Sequence, residues 1–334
     1  MSIEVAIVGA GLSGLTCAQE LAERGANVTV FDKGRGPGGR ASTRRIEVGG
    51  AEVGFDHGAQ YFTVRDHAVR PRLEAWIEAG VAARWDGRIA VLDSRGRVES
   101  YSDKPRFVGN PGMNALGRHL SRGLDVRCGV EVAAIERGEK GSRLVDREGN
   151  DLGVFSTVIV TAPPAQTSAL LSSAAPEIAE RTRSVHMKPC WAVMAAFESP
   201  LDVPYDGAFI NDGPLSWVAR TSSKPGRRPT PDRWVLHAGP EWSAEHLELD
   251  RNEAARRLWA AAVESMGLRH DEPQYLRAHR WRYAIADNPL DDGALFEPDT
   301  RIGACGDWAC GNRIEGAVLS GLRMASLVSE GRRP

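Results

Sequence analysis

A glycine-rich turn set between an apolar strand and a helix constrains this chain more than any other feature. Ile3 to Val8 is a nearly continuous apolar run, as in a strand buried on both faces of a parallel sheet. Gly9-Ala10-Gly11-Leu12-Ser13-Gly14 follows at once. A helix is then predicted over Leu12–Arg24, with Leu15, Ala18, Leu21 and Ala22 on one face and Gly25 ending it. Asn27 to Asp32 reads as a second strand, which completes a βαβ opening. In this context Gly9 permits the tight turn, Gly11 lets the backbone approach a pyrophosphate, and Gly14 lets helix and strand pack closely. The helix start adds free N–H groups and a positive dipole end. Asp32, at the end of the second strand, stands where an acid binds ribose hydroxyls.

That turn binds a dinucleotide without saying which. Two further features favour FAD. Gly36-Pro37-Gly38-Gly39-Arg40 brings more bare backbone toward the pyrophosphate, and Arg40 offers it charge-assisted bonds. Near the other end, Gly306-Asp307-Trp308 precedes Glu315-Gly316-Ala317 at the start of the last helix. An Asp there suits a ribitol hydroxyl, and a helix N-terminus suits the electron-rich edge of a reduced flavin. Glu is a weaker simple cap than Ser, Thr, Asp or Asn, so Glu315 asks for another explanation.

Composition removes several other classes. Lys and Arg number 42 against 44 Asp and Glu, a net charge of −2, which argues against a nucleic-acid binder working by phosphate neutralisation. With 42% hydrophobic and 26% charged residues, disorder is excluded as the main state. No apolar run reaches the roughly 18–20 residues of a membrane span. Met1-Ser2-Ile3-Glu4 has no basic n-region, so a cytoplasmic protein is expected. The five cysteines are scattered, which is neither a disulfide framework nor a metal pattern, and no metal is expected.

At about 150 residues per domain, 334 residues predict about two. Helices are expected over Asp66–Gly80, interrupted by Pro71, over Pro111–Gly123 and over 165–183. Strands are expected at Val130–Glu136, Arg143–Asp146, Val154–Thr161, 188–198 and Arg233–Ala238. Ser222–Asp232, with three prolines and three basic residues, reads as an exposed loop. Asp250-Arg251-Asn252-Glu253 starts a long helix ending at Gly267, and the final helix is read over Gly316–Ser329.

The opening turn, Gly38-Gly39-Arg40 and the terminal Asp307…Glu315-Gly316-Ala317 together resemble the FAD-dependent amine-oxidase-like superfamily. Within it the chain is most similar to the renalases, the bacterial ones in particular. The likeness rests on Phe31-Asp32-Lys33, on Gly58-Ala59-Gln60-Tyr61-Phe62-Thr63 and on Trp191-Ala192-Val193. It continues through Trp217-Val218-Ala219-Arg220, Trp234–Ala238, His279-Arg280-Trp281, Cys305–Trp308 and Arg313–Ala317. It implies an α/β, two-domain FAD-binding Rossmann-like fold with a mainly antiparallel substrate domain. The FAD domain would combine residues 1–65, 108–164 and 284–334, and the substrate domain 66–107 and 165–283. It also implies oxidation of 2-dihydro and 6-dihydro isomers of NAD(P) to NAD(P)+, with O2 reduced to hydrogen peroxide.

The cofactor set expected from motif and resemblance is Gly9, Gly11, Leu12, Ser13, Gly14, Asp32, Lys33, Gly39, Arg40, Ala59, Gln60, Val132, Asp307, Glu315, Gly316 and Ala317. The family pattern places Gln60, Tyr61, Phe62, Thr63 and Arg65 at the substrate. Trp308 is a candidate wall for the nicotinamide, and Trp217, Trp234 and Trp242 are candidates to stack on a ring. His237 suits a packed histidine as well as a pocket. Arg313 stands where amine oxidases carry a Tyr that frames the substrate amine. A guanidinium there repels an ammonium and suits a phosphate or carboxamide. Hydride transfer from a dihydropyridine needs no proton removed from carbon, so no general base is nominated. Lys188 reads as a surface lysine, Arg227-Arg228 and Arg332-Arg333 as solvated charge. Cys310 lacks a covalent-attachment context, so non-covalent FAD is expected. The rival readings are an FAD amine oxidase or desaturase, and a non-enzymatic flavoprotein with structural FAD.

Overall fold

The computed structural model describes residues 3–93, 95–268 and 272–331; Arg332 and Arg333 lie outside them. The predicted βαβ opening forms as Glu4–Val8, the helix Leu12–Glu23 and Asn27–Asp32. These strands pair in parallel, Val5 opposite Val28 and Val8 opposite Phe31. They sit inside a six-stranded sheet ordered Ala294–Glu297, Ile302–Cys305, Thr157–Val160, Glu4–Val8, Asn27–Asp32, Asp125–Cys128. Only Ala294–Glu297 runs antiparallel to its neighbour. The central strands are apolar on both faces because helices cover one side and a three-stranded antiparallel sheet, Val132–Gly138, Gly141–Asp146 and Asp151–Phe155, contributes to the other. The last helix, Ile314–Glu330, packs on the first so tightly that a Cβ on Gly321 would stand 2.4 Å from the Ser13 carbonyl oxygen.

A second sheet has seven strands, ordered Tyr275–Ala286, Met187–Phe197, Asp232–Ala238, Leu215–Arg220, Gly207–Ile210, Ile89–Leu92, Val98–Ser102. All its pairings are antiparallel except Gly207–Ile210 with Ile89–Leu92. Alternation splits its residues between two faces. Trp191, Val193, Trp234 and Leu236 pack beneath the helix Arg251–Met266. Met194, Ala196 and Val235 face the hairpin Arg44–Val48/Ala51–Phe55 instead.

Proline and capping signals locate the helices. Pro71 does not interrupt its helix but begins it: the element is Arg70–Glu78, with the proline in the first turn where its missing N–H costs nothing. The helical stretch at 165–183 is two helices, Pro164–Leu171 and Pro176–Arg183, each with proline in the first turn. Asp250 caps Arg251–Met266 by accepting the Asn252 and Glu253 N–H groups, and Gly267 ends it at φ +64°. No helix among the described residues is long and apolar enough to cross a membrane.

Candidate active site

The opening turn shows why each glycine is needed. Gly9 holds φ +120°, and its N–H donates to the Phe31 carbonyl at 2.7 Å. A Cβ on Gly14 would lie 2.1 Å from the Gly9 oxygen, so Gly14 serves packing and does not line the cavity. A Cβ on Gly11 would meet nothing within 4 Å. Gly11 is the helix N-cap and borders a cavity of about 1050 Å³, and of the three glycines of this turn it alone has open space where a Cβ would stand. That is the cradle a pyrophosphate needs, beside the positive end of a helix.

Asp32 braces the same turn. One carboxylate oxygen accepts the Ala10 N–H and the other the Gly34 N–H, both at 2.6 Å, while the residue remains on the cavity wall. Gly38 bridges to Gly11, and a Cβ on Gly39 would sit 3.2 Å from the Gly11 Cα, so the two glycine loops touch. Arg40 joins three distant segments. It donates to Asp307 at 2.5 Å and to the Ala284 carbonyl at 2.8 Å, and the Ala59 N–H donates back to the Arg40 carbonyl at 3.0 Å. Gly9, Gly11, Leu12, Ser13, Asp32, Lys33, Gly39, Arg40, Ala59, Val132, Asp307 and Ala317 all border the cavity. Its size and its bare backbone fit a dinucleotide, and its donors are those an FAD requires.

The rest of the predicted set is structural in its contacts. Glu315 accepts the N–H groups of Arg65 (2.5 Å) and Asp66 (2.7 Å), so it ties the 65–66 turn to the last helix. Gly316 is required because a Cβ there would lie 2.0 Å from the Cys310 carbonyl oxygen. Gln60 is buried behind the wall, its amide donating to the Asp56 and Gly58 carbonyls. Tyr61 packs on Trp217 and under the Arg106 guanidinium, which sits 5.0 Å from its ring. Phe62 is in the core against Trp76 and Phe107. Thr63 and the Arg65 side chain do not border the cavity either.

None of the four tryptophan candidates borders the cavity, for identifiable reasons. Trp308 is 1% exposed and its indole N–H donates to the Ala162 carbonyl, so it belongs to the core beside the cavity. Trp234 is three residues from His237 on one strand, and odd spacing puts them on opposite faces. Its indole donates to buried Asp232 on the helix-covered side. Trp242 stacks on His246 at 4.3 Å. Trp217 lies opposite His237 on the neighbouring strand and shares its face, but packs on Tyr61, itself off the cavity wall. His237 and Arg313 do border the cavity.

The face carrying His237 holds groups that were not nominated for the site, although His279 and Trp281 stand in a run that carries the family likeness. His57 and His279 meet edge to face at 4.8 Å, and both contact Trp281, whose indole donates to the His57 carbonyl at 2.8 Å. Trp281 and Cys190 line the cavity. Burial lowers His57, His237 and His279 each to about 4, so this face carries neutral imidazoles at pH 7. Burial likewise pushes the Cys190 thiol up to about 12. The signal available was parity: Trp281 and His279 are two apart, and Ala192 lies opposite both His237 and His279.

The Ser222–Asp232 loop is the clearest departure from expectation. Lys224 is 2% exposed, and the Arg227 side chain is almost wholly buried rather than solvated. Both face Asp56, which has no exposure. Arg227 binds its carboxylate at 2.5 Å, and the Thr43 hydroxyl and Met113 N–H supply two more donors. Burial alone would raise the Asp56 pKa, but Arg227, Lys224 and these donors outweigh it and hold it below the usual carboxylate value. Basic residues between prolines read as surface; their acid lay some 170 residues away in sequence, beyond any local pattern. Lys188 pairs with Asp287 at 2.9 Å at the surface.

The chain matches two family models: an NAD(P)-binding Rossmann-like domain over residues 7–75, and flavin-containing amine oxidoreductase over residues 74–329. A putative flavin-containing monoamine oxidase (AofH) of Mycobacterium tuberculosis is 32% identical over 136 residues, 40% of this chain. Hydroxyneurosporene desaturase of Rubrivivax gelatinosus is 49% identical over 61 residues, 18% of this chain. The aligned stretches cover 28% and 11% of those relatives' own lengths. Among solved structures, a putative protoporphyrinogen oxidase from Exiguobacterium sp. 255-15 superposes with TM-score 0.75 at 16% identity. Cyclohexylamine oxidase from Brevibacterium oxydans IH-35A superposes with TM-score 0.74 at 14% identity. Each pair covers 99% of both chains, so the whole fold is shared.

Proposed function

The chain belongs to the family of flavin-containing amine oxidoreductases, and from that premise we propose an FAD-dependent oxidase of the renalase type. Its substrates are the 2-dihydro and 6-dihydro isomers of NAD(P), and its products NAD(P)+ and hydrogen peroxide. Bound FAD supplies the hydride acceptor and the route of the electrons to O2. The chain's own residues bind and orient. The Gly9–Gly14 turn and Gly38-Gly39 would offer bare backbone to the pyrophosphate and Asp32 would hold the ribose, while Arg40 locks Asp307 at the cavity wall. FAD is held without a covalent bond; the Cys310 thiol, raised by burial, is a poor nucleophile.

The observation that carries the choice of substrate is Arg313. It is the N-cap of the 17-residue helix Ile314–Glu330, exposed and on the cavity wall. Among the described residues its side chain has no hydrogen-bond or ion-pair partner. A free guanidinium beside a positive helix end draws a phosphate or a carboxamide and repels an ammonium. The neutral histidine–tryptophan face suits a flat, uncharged ring. Exchanging Arg313 for Gln should raise KM for the dihydro-NAD isomers about tenfold and leave kcat nearly unchanged, since the contact holds in ground and transition states alike. Unchanged KM would remove this support. Amine oxidation is the second reading, favoured by the monoamine oxidase relative. It requires an amine to reduce the flavin faster than the isomers do.

A further inference from the structure

We propose that Lys224 is a positioning residue for the FAD cavity: through Gln60 it sets the Gly58–Ala59 wall against Arg40. The connection is continuous. The Lys224 ammonium donates to the Gln60 side-chain oxygen at 3.2 Å. The Gln60 amide turns back on its own loop and donates to the carbonyls of Asp56 and Gly58. Gly58 and Ala59 form cavity wall. A Cβ on Gly58 would stand 2.0 Å from the Arg40 carbonyl oxygen, and the Ala59 N–H donates to that same oxygen. Arg40 in turn holds Asp307.

Neutralising Asp56 does not require Lys224. Arg227, at 2.5 Å, already completes a pair with that carboxylate, and Lys224 stands farther off at 3.5 Å. Two buried cations on one carboxylate is a costly arrangement. What the second cation adds is the Gln60 bond. The proposal concerns FAD seating and is independent of the reductant.

The groups that face Lys224 are Asp56 and Gln60 from the loop after Ala51–Phe55, Trp85 at 5.4 Å, Arg227 on its own segment, and His237 on the neighbouring strand. Arg233 acts on the same Asp56. Burial lowers Lys224 to about 8, with Arg227 adding to the fall and Asp56 opposing it. His237 is neutral throughout this range and Arg233 is lowered only to about 10, so Lys224 is the member of the cluster whose charge changes most between pH 7 and 9.5.

The test follows FAD release from the holoprotein by recovery of flavin fluorescence, in wild type, Lys224→Met, Lys224→Arg and Gln60→Leu. Wild-type FAD affinity should fall about tenfold from pH 7 to 9.5, the lower end for weakening one hydrogen bond to a charged group. K224M should show the weaker affinity already at pH 7, with a flat profile. K224R should keep tight binding through pH 9.5. Q60L should match K224M, and the double variant should be no worse than either, because both remove one coupling. Wild-type affinity and pH profile in K224M, or losses that add in the double variant, would overturn the proposal. If K224M does not fold, the flat profile of Q60L and the extended plateau of K224R decide it alone. None of these readouts uses a substrate, so failure of the dihydronicotinamide reading leaves the test intact.

Discussion

Two glycines three residues apart do different physical work, and substitution separates them. Gly11 has φ −72°, which suits any residue, and its Cβ would enter the cavity. Gly11→Ala should therefore leave thermal stability of the FAD-free protein within about 0.5 kcal/mol of wild type while weakening FAD binding at least about tenfold. Gly14→Ala forces a methyl onto the Gly9 carbonyl and should cost about 1–3 kcal/mol of stability. Thermal melts with and without FAD distinguish the two. These residues were legible because the motif carries its own local geometry. Arg227 was not: its charge and proline neighbours say surface, and only tertiary folding brings it to Asp56. Glu315 lies between the two cases, since capping alone did not fully explain a Glu there, but the sequence did not say that it would hold the Arg65 and Asp66 N–H groups.

At the scale of elements, the seven-stranded sheet divides its work by face. The Trp191–Trp234 face is core under a helix, while the His237–His279 face meets the hairpin and the cavity. Strand parity was available from the sequence for Trp234 and His237. Which face each strand turned to the site required the register with its neighbours. The buried histidines make a pH prediction. Their folded pKa values, about 4, lie below the ordinary 6.5, so between those values the unfolded chain binds more protons than the folded one. Stability is then fully present above about pH 6.5 and falls as pH drops toward 4. Urea midpoints should decrease steadily from pH 7 to 5. Exchanging His57 for Gln should flatten that slope, and an unchanged slope would contradict the assignment.

For the whole molecule, the cavity is assembled from segments spread along the whole chain. The Gly9 turn, Ala59, Val132, His237, Trp281 and Arg313 come from six regions, and Arg40, reaching Asp307 and Ala284, ties three of them together. That the opening turn, Arg40 and Asp307 would meet at one cavity was legible because the turn is local and the other two each stand in a recognisable motif. Of the residues expected at a substrate, only His237 and Arg313 reach the cavity wall, because the aromatic residues expected there fill the cores of the two sheets. In the proposed function a misreduced nicotinamide, not an amine, delivers electrons to the flavin. The most direct measurement mixes the FAD-loaded protein without oxygen against 2-dihydro-NAD, 6-dihydro-NAD, ordinary NADH and a panel of amines, and follows the flavin absorbance. We predict rapid bleaching by at least one isomer with NAD+ as product, and slow or no bleaching by NADH or amines. Bleaching by an amine alone would contradict the account and return the protein to amine oxidation.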